Sequence, residues 1–187
     1  MDSNGKVIYI GTFSKAIAPA IRVSYMVLPP KLLKVYREEC NFYSSTVSRI
    51  DQKILNEFIR EGYFERYLNK NRKCYREKHD LLLQELKAFD EKFYVTGEHA
   101  GLHLLLHCRS DEVSEKELVE RAKKAGVKVY SFLDVMIQQQ AMENDFDKND
   151  FKASLQNDTH PILILGYGGL TKEEIKEGLD RLKEAWL

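Results

Sequence analysis

A chain of 187 residues with 43% apolar and 31% charged side chains has the composition of one globular domain or slightly more, which excludes a disordered polypeptide. Its 29 basic and 29 acidic residues cancel, so nothing global draws it to DNA or to an anionic membrane, and a role on DNA would have to reside in residues outside it. No run of about 18 apolar residues occurs, so no membrane-spanning helix and no membrane partner are expected. Three widely spaced cysteines, Cys40, Cys74 and Cys108, form no CxxC motif and read as reduced thiols of a cytoplasmic protein. The opening "MDSNGK" has no signal-peptide character. It reads as a polar loop dropping straight into a hydrophobic strand, the start expected of a cut fragment.

In chain order, Lys6–Ile10 reads as a buried strand and Arg22–Leu28 as a second. Pro29 and Pro30 punctuate, and Lys31–Glu39 follows as a short helix with proline at its start. Val47, Ile50, Ile54, Leu55, Phe58 and Ile59 keep helical spacing up to a stop at Gly62. Residues 63–96 lack glycine and proline up to Thr96. Phe64, Tyr67, Leu68, Cys74, Tyr75, Leu81, Leu82, Leu86 and Phe89 there fit one broad face of a helix long enough to run from one domain into another.

The pattern then turns mixed. Phe93–Val95 and Leu102–Cys108 read as strands, and Ser114 with Glu117 as a capping box opening a helix that ends at Gly126. Val127–Tyr130 and Ile162–Tyr167 read as further strands. Thr171 and Glu174 give a second capping box, before a last helix with Ile175, Leu179, Leu182 and Trp186 on its apolar face. Between these lies Asp134–His160, with six acidic residues, two basic ones and little periodicity. It is expected to be a mobile loop.

The chemistry concentrates in "VIYIGTFSKAIAPAIRVSYMVLP", residues 7–29. Two hydroxyls, Thr12 and Ser14, an amine, Lys15, and a guanidinium, Arg22, stand between two hydrophobic runs. A lysine captures an aldehyde as a Schiff base when its amine is deprotonated, and burial or nearby cations favour that state. Hydroxyls and a guanidinium suit a phosphate monoester. Aldehyde plus phosphate describes pyridoxal 5′-phosphate (PLP). A turn that merely uses Thr12 and Ser14 for local hydrogen bonds, with Lys15 solvated, is the plain alternative.

"YIGTFSKAIAPAIRVSY" resembles the cofactor-lysine segment of fold-type I PLP-dependent aminotransferases, a [ST]-x-SK turn with an arginine seven to nine residues later. "EFIREGYFERYLNKNRKCYREKHDLLLQEL", "EHAGLHLLL" and "ILILGYGGLTKEEIKEGLDRL" resemble, in order, three later segments of the MocR or GabR branch. The likeness covers essentially the whole chain and is weakest over Asp134–His160. Members of that branch are transcriptional regulators that fuse a GntR-family winged helix-turn-helix to an aminotransferase-like domain sensing PLP or an amino compound.

The resemblance implies an α/β fold: the C-terminal portion of a fold-type I PLP-dependent transferase, with residues 1–67 a remnant of the large PLP-binding domain and 68–187 the small α+β domain. It implies that Lys15 is the cofactor lysine and that Thr12, Ser14 and Arg22 are phosphate contacts. It also implies a small amino effector or substrate, DNA contact only through a missing N-terminal domain, and a homodimer. PLP and then an effector would shift the small domain against the large one and so bias the DNA-binding part. A fragment of a true aminotransferase, and an interaction-only domain that kept the fold, are the alternative readings. The family's pyridine-nitrogen aspartate, ring-stacking aromatic and glycine-rich phosphate turn precede the lysine, so this chain alone is expected to bind PLP weakly and unselectively.

Two positions depart from the family pattern. Ser24 stands where "R-x-G-Y" has glycine. Ile164 stands where the last strand commonly carries the arginine that grips a substrate α-carboxylate. Losing that contact costs roughly 1.5–3 kcal/mol, so weak or no transamination of common amino acids is expected.

Three further features are expected to be structural. His103 and His107 lie about 13 Å apart along one strand, too far to share a metal ion, and His103 is expected to pack or hydrogen-bond. Arg60, Arg66, Arg72 and Arg76 interleave with Glu57, Glu61, Glu65 and Glu77, as on a solvated, ion-paired helix surface. Phe42, Tyr43, Tyr63, Phe64 and Tyr67 suit a dimer contact and core packing equally.

Overall fold

A computed structural model describes residues 4–40, 42–99, 101–140 and 160–187. The chain divides into two compact units, 1–72 and 73–187.

Unit 1 begins with an antiparallel pair, β1 (Tyr9–Thr12) and β2 (Ser24–Val27), in the register Tyr9–Val27 to Thr12–Ser24. Between them lie α1, a single turn at Phe13–Ala16, and a 3-10 turn at Pro19–Ile21. Helices α2 (Pro30–Glu39) and α3 (Arg49–Arg60) follow, α3 capped by the Ser48 hydroxyl, which accepts from the amides of Ile50 and Asp51. Gly62, at φ +73, turns the chain into α4 (Tyr63–Leu86), which runs on into unit 2.

The two strands form as expected, but they are not buried: Ile10 is 71% exposed and Val27 56%. Among the described residues of unit 1 only Val23 and Pro29 are buried. A strand apolar on both faces is built to lie between two layers, and the described residues of this unit do not supply them. The broad face expected along α4 is likewise buried only at its end, by Leu82 and Leu86.

Unit 2 closes a core of its own. The sheet order is β3 (Phe93–Thr96), β4 (His103–Cys108), β6 (Ile162–Gly166), β5 (Tyr130–Ser131), every neighbouring pair antiparallel. Leu104, Leu106, Leu163 and Leu165 point from the central strands into helices that cover one face. Those helices are the end of α4, α5 (Glu115–Lys124) through Leu118 and Ala122, and α7 (Lys172–Trp186) through Ile175, Leu179, Leu182 and Trp186. The Trp186 indole donates to the Leu118 carbonyl at 3.0 Å, satisfying the one polar atom of that side chain. The α/β class, with a small antiparallel sheet backed by helices, is the one expected.

Helix starts sort by their caps. Thr171 and Glu174 form a complete reciprocal capping box at α7. Ser114 accepts from the Glu117 amide, but the Glu117 carboxylate pairs with Arg121 at 2.6 Å, so the box expected at α5 is only half made. Across α4 and α7, Glu77 and Lys172 pair at 2.7 Å, which holds the Glu77 carboxyl below its ordinary value and the lysine above its own.

The expected loop over 134–160 is wrong in its first part. Residues Phe132–Gln140 form α6. The Asp134 amide donates to the Ser131 hydroxyl at 3.1 Å, and the helix packs on β5 and β6. Its apolar residues, Phe132, Leu133, Val135, Met136 and Ile137, are interrupted in the sequence by Asp134 and followed by glutamines and acids. The remainder, 141–159, lies outside the described residues.

Candidate functional site

The turn between β1 and β2 is held by a small set of hydrogen bonds. Thr12 has extended backbone and caps α1: its hydroxyl accepts from the Ser14 amide at 3.2 Å and donates to the Val23 carbonyl at 3.3 Å. The Phe13 amide donates to the same carbonyl at 2.9 Å. From further along the chain, the Tyr67 hydroxyl donates to the Ile17 carbonyl at 2.9 Å, tying α4 to the end of the turn. Thr12 and Ser14 are thus in direct contact, and the residue after Arg22 is bonded back to the same cap.

Lys15 sits in the single turn of α1 with its side chain exposed. This corrects the expectation of a lysine at the end of a buried strand, because β1 itself is open to solvent. Arg22 is exposed and adopts φ +50, ψ +31, the only described non-glycine residue at positive φ. A left-handed conformation in a residue with a Cβ costs roughly 1–2 kcal/mol, and strain of that kind concentrates where a side chain must be aimed. Ser24, where the family pattern has glycine, fits regular β2 opposite Thr12.

Gly11 and Tyr25 were not singled out from the sequence. The Tyr25 ring lies across Gly11 so closely that a Cβ there would meet the ring at 2.4 Å. Only glycine permits that crossing, which sets the Tyr25 ring at a tilt against Phe13 with ring centres 5.4 Å apart. A hydrogen bond with the Tyr9 side chain raises the Tyr25 hydroxyl above the ordinary phenol value. The signal was present as a lone glycine inside a strand pattern, which marks a close approach.

In unit 2, Ile164 is half-buried on β6. It alternates with buried Leu163 and Leu165, and its register partners are Leu105 and Tyr130. No cation stands at either register position. His103 is exposed, and His107 stacks on Tyr94 at 4.6 Å and bonds to the Thr96 hydroxyl at 2.7 Å. Among the described residues no group of three or more His, Cys, Asp and Glu could hold a metal ion.

The arginine ladder forms fewer pairs than expected. Arg60 meets Glu61 at 3.1 Å, while Arg66 stacks over Tyr63 and Arg72 donates to Asn69. Phe42 and Tyr43 stack on each other at 4.3 Å and are 75% and 68% exposed.

Glu115 is a further residue that sequence reasoning passed over. Its carboxylate accepts from the Ser131 hydroxyl, from the Leu133 amide at 3.2 Å and from the Ile162 amide at 3.0 Å. It thereby joins α5, the start of α6 and the start of β6.

No family profile matches the sequence. Among curated proteins, the chain is 37% identical over 190 residues to the uncharacterized HTH-type transcriptional regulator YdeL of Bacillus subtilis and 33% identical over 187 residues to YhdI of the same organism. Both alignments cover 100% of this chain and 36% of the relative. It is 27% identical over 188 residues to the probable rhizopine catabolism regulatory protein MocR of Rhizobium meliloti. The chain therefore spans about a third of the length of these relatives. Among solved structures it resembles the Pyrococcus horikoshii kynurenine aminotransferase complexed with PMP, at TM-score 0.66 and 25% identity, covering 98% of this chain and 41% of that one. It also resembles the α-aminoadipate aminotransferase LysN of Thermus thermophilus, at TM-score 0.63 and 26% identity, covering 96% and 41%.

Proposed function

We propose that this chain, similar over its whole length to HTH-type transcriptional regulators of which it spans about a third, forms the effector-sensing, PLP-binding C-terminal part of a longer, MocR-type DNA-binding transcriptional regulator. On this reading residues 1–67 belong to the large PLP-binding domain and 68–187 make up the small one. The regulator works in the cytoplasm as a homodimer and meets DNA through an N-terminal domain.

The observation that carries the reading is the β1–β2 turn. The donor set there fits the cofactor's chemistry: one primary amine for an aldehyde carbon, two hydroxyls and one guanidinium for a phosphate. When bound, PLP supplies an electron sink for chemistry at an amino group. The protein's own residues do the holding. Lys15 provides the covalent anchor, Arg22 a bidentate pair of N–H donors, and Ser14 and Thr12 neutral hydrogen bonds. The Thr12 cap keeps Ser14 and Lys15 on one turn, and Arg22 takes a left-handed backbone just before Val23, whose carbonyl closes that turn.

Lys15→Ala in the intact gene product tests this. We expect loss of the visible absorbance of bound PLP and loss of effector-dependent DNA binding, with effector-independent DNA binding retained. Full regulation by the variant would overturn the reading and favour an interaction-only domain.

The likeness to catalytic aminotransferases supports a second reading, an enzyme fragment. Ile164 with Leu105 and Tyr130 across from it weighs against that, because none of the three carries the positive charge of a guanidinium. Robust turnover of alanine or glutamate with 2-oxoglutarate by the intact protein would reverse the preference.

A further inference from the structure

Unit 2 contains a cavity that neither the proposed cofactor turn nor the core requires. It lies between the end of β6, residues 127–129 and α7, with a volume of about 60 Å³. Its floor is buried and apolar: Leu82, Val129, Leu165, Ile175, Leu179 and Leu182. Two glycines line it, exposed Gly166 and half-buried Gly178. A Cβ built at either would meet nothing within 4 Å. A glycine inside a helix costs about 1 kcal/mol relative to alanine, and Gly178 stands in mid-α7 with room for a methyl group. Packing therefore does not explain it.

The rim carries one residue of each charge, both exposed: Lys128, whose ammonium lies over the Tyr130 ring at 4.9 Å, and Glu174. Glu174 stays ionised at neutral pH, because the Thr171 backbone amide donates to its carboxylate at 2.7 Å and holds its carboxyl below the ordinary value. An apolar hole with a cation and an anion at its mouth is the complement of a zwitterion with a short apolar tail. Size narrows the tail. A cavity of about 150 Å³ accepts the six carbons of benzene, so one of this volume takes about two to three carbons, at most the size of an isopropyl group.

We infer that this cavity is a binding site for a small aliphatic amino acid of the valine class, with the side chain in the apolar hole, the carboxylate toward Lys128 and the ammonium toward Glu174. The inference is independent of the role given to Lys15. It places a ligand site inside a unit that has its own closed core.

Equilibrium dialysis of the full chain against radiolabelled valine tests it, with phenylalanine and serine as competitors. The expected result is saturable binding of one valine per chain, competed at least tenfold less well by either competitor, since one is too large for the hole and the other too polar. Gly178→Leu should plug the hole and abolish binding. Lys128→Glu, an exposed substitution that leaves the core untouched, should weaken it at least tenfold with an unchanged circular dichroism spectrum. Lys15→Ala should leave it intact. Absence of saturable binding, binding that survives both Gly178→Leu and Lys128→Glu, or binding lost in Lys15→Ala would each overturn the assignment.

Discussion

Units 1 and 2 place apolar side chains on strands and helices alike, yet only one of them buries what it places. In unit 2, β4 alternates strictly: Leu104, Leu106 and Cys108 are buried, while His103, Leu105 and His107 face the other way. One face is enough for a sheet backed by helices, and α4, α5 and α7 supply the backing. In unit 1, β1 and β2 are apolar on both faces, and α3 leaves Ile50 72% and Ile54 60% exposed along its apolar stripe. Apolar periodicity specifies which elements form. Whether they bury depends on a partner layer, and the two units differ in having one.

Hydrogen exchange on the intact chain should show the contrast most strongly. Amides of β4 and β6 exchange only through global opening of unit 2, whereas those of β1 and β2 exchange through local fraying. Protection at least about 100-fold greater in β4 and β6 is expected. Equal protection in the two sheets would break the comparison at its root.

Core truncations come next in size. Leu104→Ala or Leu163→Ala removes a fully buried side chain and should cost unit 2 about 2–5 kcal/mol in urea unfolding. Ile54→Ala, in an exposed stripe, should stay within about 0.5 kcal/mol. A large loss at Ile54 would mean that α3 is covered after all.

Glu115→Ala probes the join of α5, α6 and β6. It strips the partner from one hydroxyl and two amides, and should cost about 1–3 kcal/mol of unit 2 stability.

Smaller still is Thr171→Ala, which removes the hydroxyl half of a complete capping box for about 1 kcal/mol. The cap has a pH signature with a definite sign. The folded carboxyl of Glu174 is held down by the Thr171 backbone and side chain. Its contribution is therefore present above the unfolded value near 4.5 and lost as pH falls through the lower folded one. Thr171→Ala keeps the backbone amide, the larger cause, so that slope below pH 4.5 should flatten only in part, whereas Glu174→Gln should remove it; acid titration of the circular dichroism signal distinguishes the two.

Much of this was legible in advance, and the exceptions share a cause. Thr171 and Glu174 announced α7 because a capping box is a local code. The β1–β2 turn was legible as a polar turn between two strands because it is contiguous: Thr12, Ser14, Lys15 and Arg22 lie within eleven residues. The burial of β1 and β2 was misjudged because it depends on layers the chain's described residues do not provide. Glu115 escaped notice because its partners, Ser131, Leu133 and Ile162, are 16 to 47 residues away, and nothing in the sequence around it marks that distance. Tyr25 was missed because its role depends on Gly11 across the pair, a relation that only the register reveals.

The smallest effect bears on the candidate site itself. Arg22 holds a left-handed backbone that glycine adopts freely, so Arg22→Gly relieves roughly 1–2 kcal/mol of strain. Against that, glycine loses about 0.5–1 kcal/mol more conformational freedom on folding. The net gain of about 0.5–1 kcal/mol should appear as a two- to fivefold slowing of amide exchange in β1 and β2. If the arginine is there to hold a phosphate, the same substitution that steadies the turn should abolish PLP uptake by the intact gene product. Arg22→Lys should keep the strain and restore part of the uptake, since a point charge replaces a bidentate fork. Stability and cofactor affinity moving in opposite directions is the signature of a residue strained for function. If Arg22→Gly steadied the turn and left PLP uptake unchanged, Arg22 would be no more than a loop residue, and the turn would lose its strongest claim to the cofactor.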